Sequence, residues 1–154
     1  MLGTSAYLPR AREAGHLDAI DGRYHWQGTV YEALPAGRAS FVLTDLFQNL
    51  TGGPFDLIVA NLPYIAAEEV PTLSAEVQRD PVLALDGGPV GTEIIARFLA
   101  DLAPHAAPGA LIALEIGAGQ SIDLLPVMEH FGLRESRSVS DYSGRDRFLF
   151  AVAP

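Results

Sequence analysis

At 154 residues the chain suits one domain with a sizeable core, and its 49% apolar and 19% charged residues are a globular composition. A formal net charge of -9 with only 10 Lys and Arg leaves no clustered cations for nucleic-acid backbones, and zero Cys removes disulfides, thiolate catalysis and Cys-ligated zinc. The opening residues have no basic stretch leading into an apolar core, and no apolar run could span a bilayer, so a cytoplasmic protein is expected.

Residues 1–39 are cut into short pieces by Gly15, Gly22, Gly28 and Pro35. Within them, 7–20 reads as a short helix with Pro9 in its first turn, and 23–30 as a strand carrying Tyr24 and Trp26. From Ala39 the pattern becomes regular. Residues 40–44 read as a strand, Asp45-Leu46-Phe47 as its exit, and 51–54 as a turn. The apolar run 55–60, with β-branched Ile58 and Val59, predicts a strand buried on both faces. Asn61-Leu62-Pro63-Tyr64 follows at once, where open α/β sheets bind ligands, and is the best candidate for a site.

Beyond it, 66–81 mixes acids with Pro71 and Pro81, a loop with one or two helical turns over the strand end. The glycines and Pro89 of 84–91 mark a turn region. Helical spacing of Ile94, Ile95, Phe98, Leu99 and Leu102 predicts a helix over 92–102 with Thr92 as its N-cap. Residues 110–116 predict a second continuous apolar strand, 121–131 a second amphipathic helix stopped by Gly132, and 136–140 and 147–152 short strands around a turn. This order predicts a doubly wound, mostly parallel α/β sheet ending in an antiparallel pair.

Taken alone, Asn61 to Tyr64 fits a βα turn in which Asn caps, Pro stiffens and Tyr packs. It equally fits a site: a carboxamide both donates to and accepts from a planar amide or amino group, and a Tyr ring stacks on it. Asn-Leu-Pro-Tyr resembles motif IV of S-adenosylmethionine-dependent methyltransferases that modify nitrogen in amides or nucleobases. As spelled it is similar to the adenine dimethyltransferases of ribosomal RNA, whereas Asn-Pro-Pro-Tyr is the usual form in HemK-like glutamine methyltransferases of release factors. The downstream chain resembles the second family in content and order. Asp80-Pro81, Ala84-Leu85-Asp86-Gly87-Gly88, Glu115-Ile116-Gly117 with Gln120, and Asp141 with Gly144 and Arg147 follow motif IV in turn. The resemblance covers about residues 39–154.

The family's fold is implied with it: a class I methyltransferase, Rossmann-like sheet, here with an incomplete first part. The chain then reads as one methyltransferase domain over 1–154, with 1–39 an atypical remnant of the cofactor-binding half and 40–154 the family-like catalytic portion. Glu115-Ile116-Gly117-Ala118-Gly119 imitates a cofactor loop, but too few residues follow Gln120 for the rest of a cofactor-binding half, so a structural strand end is expected. The loop itself is matched only by Met1-Leu2-Gly3-Thr4-Ser5-Ala6, which lacks the leading acid and two glycines. Gly3 is what remains of it, Asp21 could stand at the second-strand end though an ordinary turn Asp fits better, and Asp45-Leu46 matches the adenine-contacting exit of the third strand. No metal is expected, since His16, His25, His105 and His130 fall in no ligand spacing. Arg145, Asp146 and Arg147 read as a solvated or ion-paired hairpin.

By the same resemblance, S-adenosylmethionine is the cofactor and a glutamine in the Gly-Gly-Gln loop of a peptide chain release factor is the substrate. Asn61 and Tyr64 are then catalytic. Asn61 also contacts the cofactor, and the Asn61 side chain and Leu62 carbonyl accept from the glutamine amide while Tyr64 packs on its plane. Leu62 in place of Pro keeps the carbonyl but loses a fixed φ. Two rivals remain: a nucleic-acid adenine methyltransferase, disfavoured by the acidic charge, and a truncated, inactive interaction module. Loss of the first strand would expose a sheet edge, which predicts pairing between copies through that edge.

Overall fold

The computed structural model describes residues 18–20, 23–26, 29–32, 42 and 44–154. The chain divides into two compact units, a smaller one within Gly3–Asp45 and a larger one over Leu46–Pro154. In the smaller unit β1 (Asp18–Ile20), β2 (Arg23–Trp26) and β3 (Thr29–Glu32) form an antiparallel meander. The strand expected over 23–30 is therefore two strands, with Gly28 between them. At its end the helix expected over 7–20 is wrong, because Asp18–Ile20 pairs with β2; the rest lies outside the described residues. Ladder bonds to a neighbouring strand decide so short a segment against its weak helical pattern. Val42 and Thr44, the described members of the strand expected over 40–44, lie in no strand.

The larger unit carries β4 (Phe55–Asn61), β5 (Ala106–Glu115), β6 (Arg134–Ser140) and β7 (Asp146–Val152) in the spatial order β4-β5-β7-β6. β4 and β5 are parallel, while β7 runs antiparallel to both β5 and β6. The chain thus closes on the antiparallel pair the sequence predicts. Between β4 and β5 it passes through two 3-10 turns (Val70–Thr72 and Val77–Arg79), the single helical turn α1 (Val82–Leu85), helix α2 (Glu93–Asp101) and a third 3-10 turn (Ala103–His105). Helix α3 (Ser121–His130) joins β5 to β6 and packs against α2, so both helices cover the same face of the sheet. Among the described residues no helix is long and apolar enough to cross a membrane.

That face holds the core. Ile58 and Ala60 of β4, Ile112 and Leu114 of β5, and Leu149 and Ala151 of β7 meet Ile95, Phe98 and Leu99 of α2 and Leu124 and Met128 of α3, all buried. Each large side chain so buried contributes roughly 1.5–3 kcal/mol relative to exposure. The side chains between them point the other way, as the strand period requires. There Leu57 is 55% and Val59 47% exposed, and Leu111 and Phe148 are exposed as well. The expectation that 55–60 is buried on both faces is therefore corrected: one face is buried. A continuous apolar run reports which residues avoid water, not how many faces are covered.

Both helices are ended by local chemistry. Thr92 stands at the N-cap of α2 as expected, but its side chain makes no capping bond. The Glu93 carboxylate serves instead, accepting from the N–H groups of Val90 and Thr92, each at 3.1 Å. At the end of α3, Gly132 has φ +80°; its N–H donates to Glu129 O at 2.9 Å, and Leu133 N–H donates to Met128 O at 3.1 Å. These two bonds are a Schellman cap, which explains the glycine.

Candidate active site

β4 ends at Asn61, which lies opposite Glu115 in the parallel register with β5. The Asn61 carboxamide is exposed, and among the described residues it has no hydrogen bond, so both its donor and its acceptor are open. Leu62 and Tyr64 are half-buried and pack against the core.

From Tyr64 onward the backbone is tied to the turn region after α1. Ile65 N–H donates to Leu85 O at 3.0 Å, Gly87 N–H to Ile65 O at 2.8 Å, and Ala67 N–H to Gly88 O at 2.9 Å. Two glycines permit this approach. A Cβ on Gly87 would stand 2.8 Å from Pro63 O and Tyr64 Cα; one on Gly91, whose φ is +82°, would stand 2.5 Å from Tyr64 O. Gln120, at the start of α3, completes the clamp. Its Nε2 donates to Tyr64 O at 2.9 Å and Gly91 O at 3.2 Å, and its Oε1 accepts from Gly117 N–H at 2.8 Å.

The Tyr64 hydroxyl is held from another direction. Arg147 Nη2 donates to it at 2.9 Å and to Glu115 Oε1 at 2.8 Å, while Tyr64 OH donates to the same carboxylate oxygen at a long 3.4 Å. The guanidinium carbon also stands 5.1 Å from the Tyr64 ring centroid, a cation–π distance. The bond to the Tyr64 hydroxyl raises the Arg147 pKa above its usual value; burial opposes this, and Glu115 adds to the rise. Arg147 is itself firmly mounted. Its carbonyl accepts from Ile116 N–H at 2.9 Å, and the neighbouring Asp146 carboxylate accepts from Ser121 Oγ at 2.6 Å and Ser140 Oγ at 3.2 Å. In the hairpin turn before it, the N–H groups of Arg145 and Ser143 donate to Asp141 and hold its carboxyl below the usual range, the Arg145 bond contributing most.

Three of the four downstream segments singled out in the sequence therefore meet motif IV: the Gly87 to Gly91 turn, the Glu115 to Gln120 strand end and the Arg147 hairpin. From the residues alone Glu115 reads as structural and Arg147 as part of a solvated or ion-paired hairpin. The ion pair is present, but its partner is Glu115 and its reach is Tyr64. The other sequence candidates do not join this cluster. Gly3 and Asp21 lie outside the described residues. Asp45 is exposed in a bend within the smaller unit, and Leu46 opens the larger one with φ +50°. The described residues thus bring Asn61 to Tyr64 together with the Gly87 to Gly91 turn, Gln120, Glu115 and Arg147, and among themselves do not assemble a cradle for a nucleoside cofactor. Among them no group of His, Asp and Glu could hold a metal ion.

No family model matches the chain. The release factor glutamine methyltransferase of Moorella thermoacetica is 35% identical over 151 residues, covering 97% of this chain and 53% of that protein. Proteins of the same name from Gloeobacter violaceus and Caulobacter vibrioides are 37% and 38% identical over 111 and 116 residues, covering 38% and 40% of their lengths. The chain thus spans about half the length of the Moorella relative and less of the others. A crystal structure from Alicyclobacillus acidocaldarius, described as a release-factor-specific protein-(glutamine-N5) methyltransferase, matches 83% of this chain and 68% of that one, with 22% identity and a TM-score of 0.45. The sequence matches define a class, the S-adenosylmethionine-dependent methyltransferases, in which such a cofactor is general. Within that class, the chain is similar over the matched residues to the release factor glutamine methyltransferases.

Proposed function

We propose that this chain carries the acceptor side of an active site that methylates the side-chain amide nitrogen of a glutamine in the Gly-Gly-Gln loop of a peptide chain release factor. The observation that carries this reading is the open Asn61 carboxamide, set at a strand end where the family's other segments converge on Tyr64. S-adenosylmethionine supplies an electrophilic methyl group. An amide nitrogen is a poor nucleophile because its lone pair is delocalised, so the protein's task is positioning and hydrogen bonding rather than strong base chemistry. Asn61 Oδ1 accepts one hydrogen of the glutamine NH2, the Leu62 carbonyl accepts the other, and the Tyr64 ring lies against the amide plane. Once methylated, the nitrogen is acidic enough to lose its proton to solvent.

The net charge of -9, with only 10 Lys and Arg, supports a protein substrate over a nucleic acid. Calorimetric titration with S-adenosylmethionine, displaced by S-adenosylhomocysteine, tests the donor side; no heat at millimolar ligand would leave the inactive interaction module as the better reading. Incubation with a release factor followed by mass spectrometry tests the acceptor, the expected product being one methyl on the Gly-Gly-Gln glutamine. Asn61→Ala should abolish that product while leaving the thermal midpoint within about a degree, because an exposed side chain without partners adds little stability. Retained transfer would show that Asn61 does not hold the acceptor amide.

A further inference from the structure

We propose that Glu115 and Arg147 are positioning residues, which hold the Tyr64 side chain in one orientation and thereby set the rate of transfer rather than the affinity for the acceptor. The proposal rests on the glutamine-transfer reading for its kinetic part, and on geometry for the rest. Tyr64 is gripped at both ends: Gln120 holds its carbonyl at 2.9 Å, and Arg147 holds its hydroxyl at 2.9 Å. A two-torsion side chain fixed at the backbone and the tip has little freedom left.

The arrangement needs both partners. A single guanidinium nitrogen serves the phenol and the carboxylate together, with the guanidinium carbon 5.1 Å from the ring centroid. A Lys ammonium is a point charge without that planar fork. Glu115 fixes the fork, and the bond from Ile116 and the two serines on Asp146 fix the strand that carries it. Stability alone is a weak reason for such a pair, because both side chains remain a quarter or more exposed. The ring they aim is the one that would lie on the acceptor amide, where a small misplacement costs rate.

The test uses the whole chain and the variants Arg147→Met and Glu115→Gln. Each should lower kcat about 10- to 100-fold while KM for the release factor changes less than about threefold. Tyr64→Phe should cost a similar factor, and adding Arg147→Met to Tyr64→Phe should cost nothing more, since the anchor then has no hydroxyl to hold. Multiplying losses, or a rise in KM with kcat unchanged, would overturn the proposal. A second measurement needs neither donor nor acceptor: three-bond couplings that report χ1 of Tyr64 in the free chain. One rotamer in the wild type and averaged rotamers in both variants support the anchor, and an unchanged single rotamer refutes it. If the wild type transfers no methyl, the glutamine reading falls on its own, and the couplings still decide whether Glu115 and Arg147 hold Tyr64.

Discussion

The two faces of β4 are spelled alike and fare differently. Ile58 and Ala60 are buried under α2 and α3, whereas Leu57 and Val59, their immediate neighbours, stand about half exposed. Apolar composition therefore states what a strand can tolerate beneath a cover, and the helices on one side decide which half of it becomes core. The candidate site lies at the end of this strand and draws on neither face alone. Asn61 and Glu115 sit side by side where the ladder stops, and the partners of Glu115, Tyr64 and Arg147, arrive from segments far apart in sequence.

Substitution can sharpen the contrast between faces. Phe98→Ala, which empties the place of a fully buried ring stacked on Phe47 with centroids 4.8 Å apart, should cost about 3–5 kcal/mol in chemical denaturation. Ile58→Ala should cost about 2–5 kcal/mol by the same measurement. Gly91→Ala should cost about 2 kcal/mol through its positive φ and should also displace the Tyr64 carbonyl, visible as loss of amide protection at Gly87 and Ala67. Leu57→Ala, one residue from Ile58 but on the exposed face, should cost under about 1 kcal/mol. Equal costs at 57 and 58 would break the distinction between the faces.

The smallest effect belongs to the hairpin. The folded pKa of Asp141 is depressed, so the stability it contributes is present above the ordinary carboxylate pKa and is lost as pH falls through the folded value. Protection of the Ser143 and Arg145 amides against hydrogen exchange, relative to the intrinsic rate at each pH, should therefore fall on acidification below the usual carboxylate range. In Asp141→Asn that pH dependence should disappear. A profile in the variant that matches the wild type would mean another group controls the turn.

Much of this was legible in the residues. Helical spacing located α2 and α3, and continuous apolar runs located β4 and β5, because their periods are set by the fold they enter. Two 3-10 turns stand where residues 66–81 predicted a helical turn or two. β1 was misread because three residues carry no period, and pairing with β2 settled them. Burial on both faces of β4 was misread because its cover is a tertiary fact. The string Asn61 to Tyr64 was found as a motif, yet its supports were not: Tyr64 is 51 residues from Glu115 and 83 from Arg147, and no local pattern joins residues so separated. The only signal was that each sat within a segment following motif IV in a fixed order.

The order of strands also constrains how the molecule can be made. β7 is the last of the four to leave the ribosome, yet it lies between β5 and β6 and is the neighbour to which each is paired on that side. A nascent chain that ends at Ser140 has β6 without a ladder partner and β5 with one open edge. Vectorial synthesis, which lets many domains fold from their N-terminal end as they emerge, can assemble only the β4–β5 ladder of the larger unit's sheet before β7 is made. Completing this sheet requires β7 between β5 and β6, and Arg147, which bonds the Tyr64 hydroxyl, stands at the leading end of that same strand.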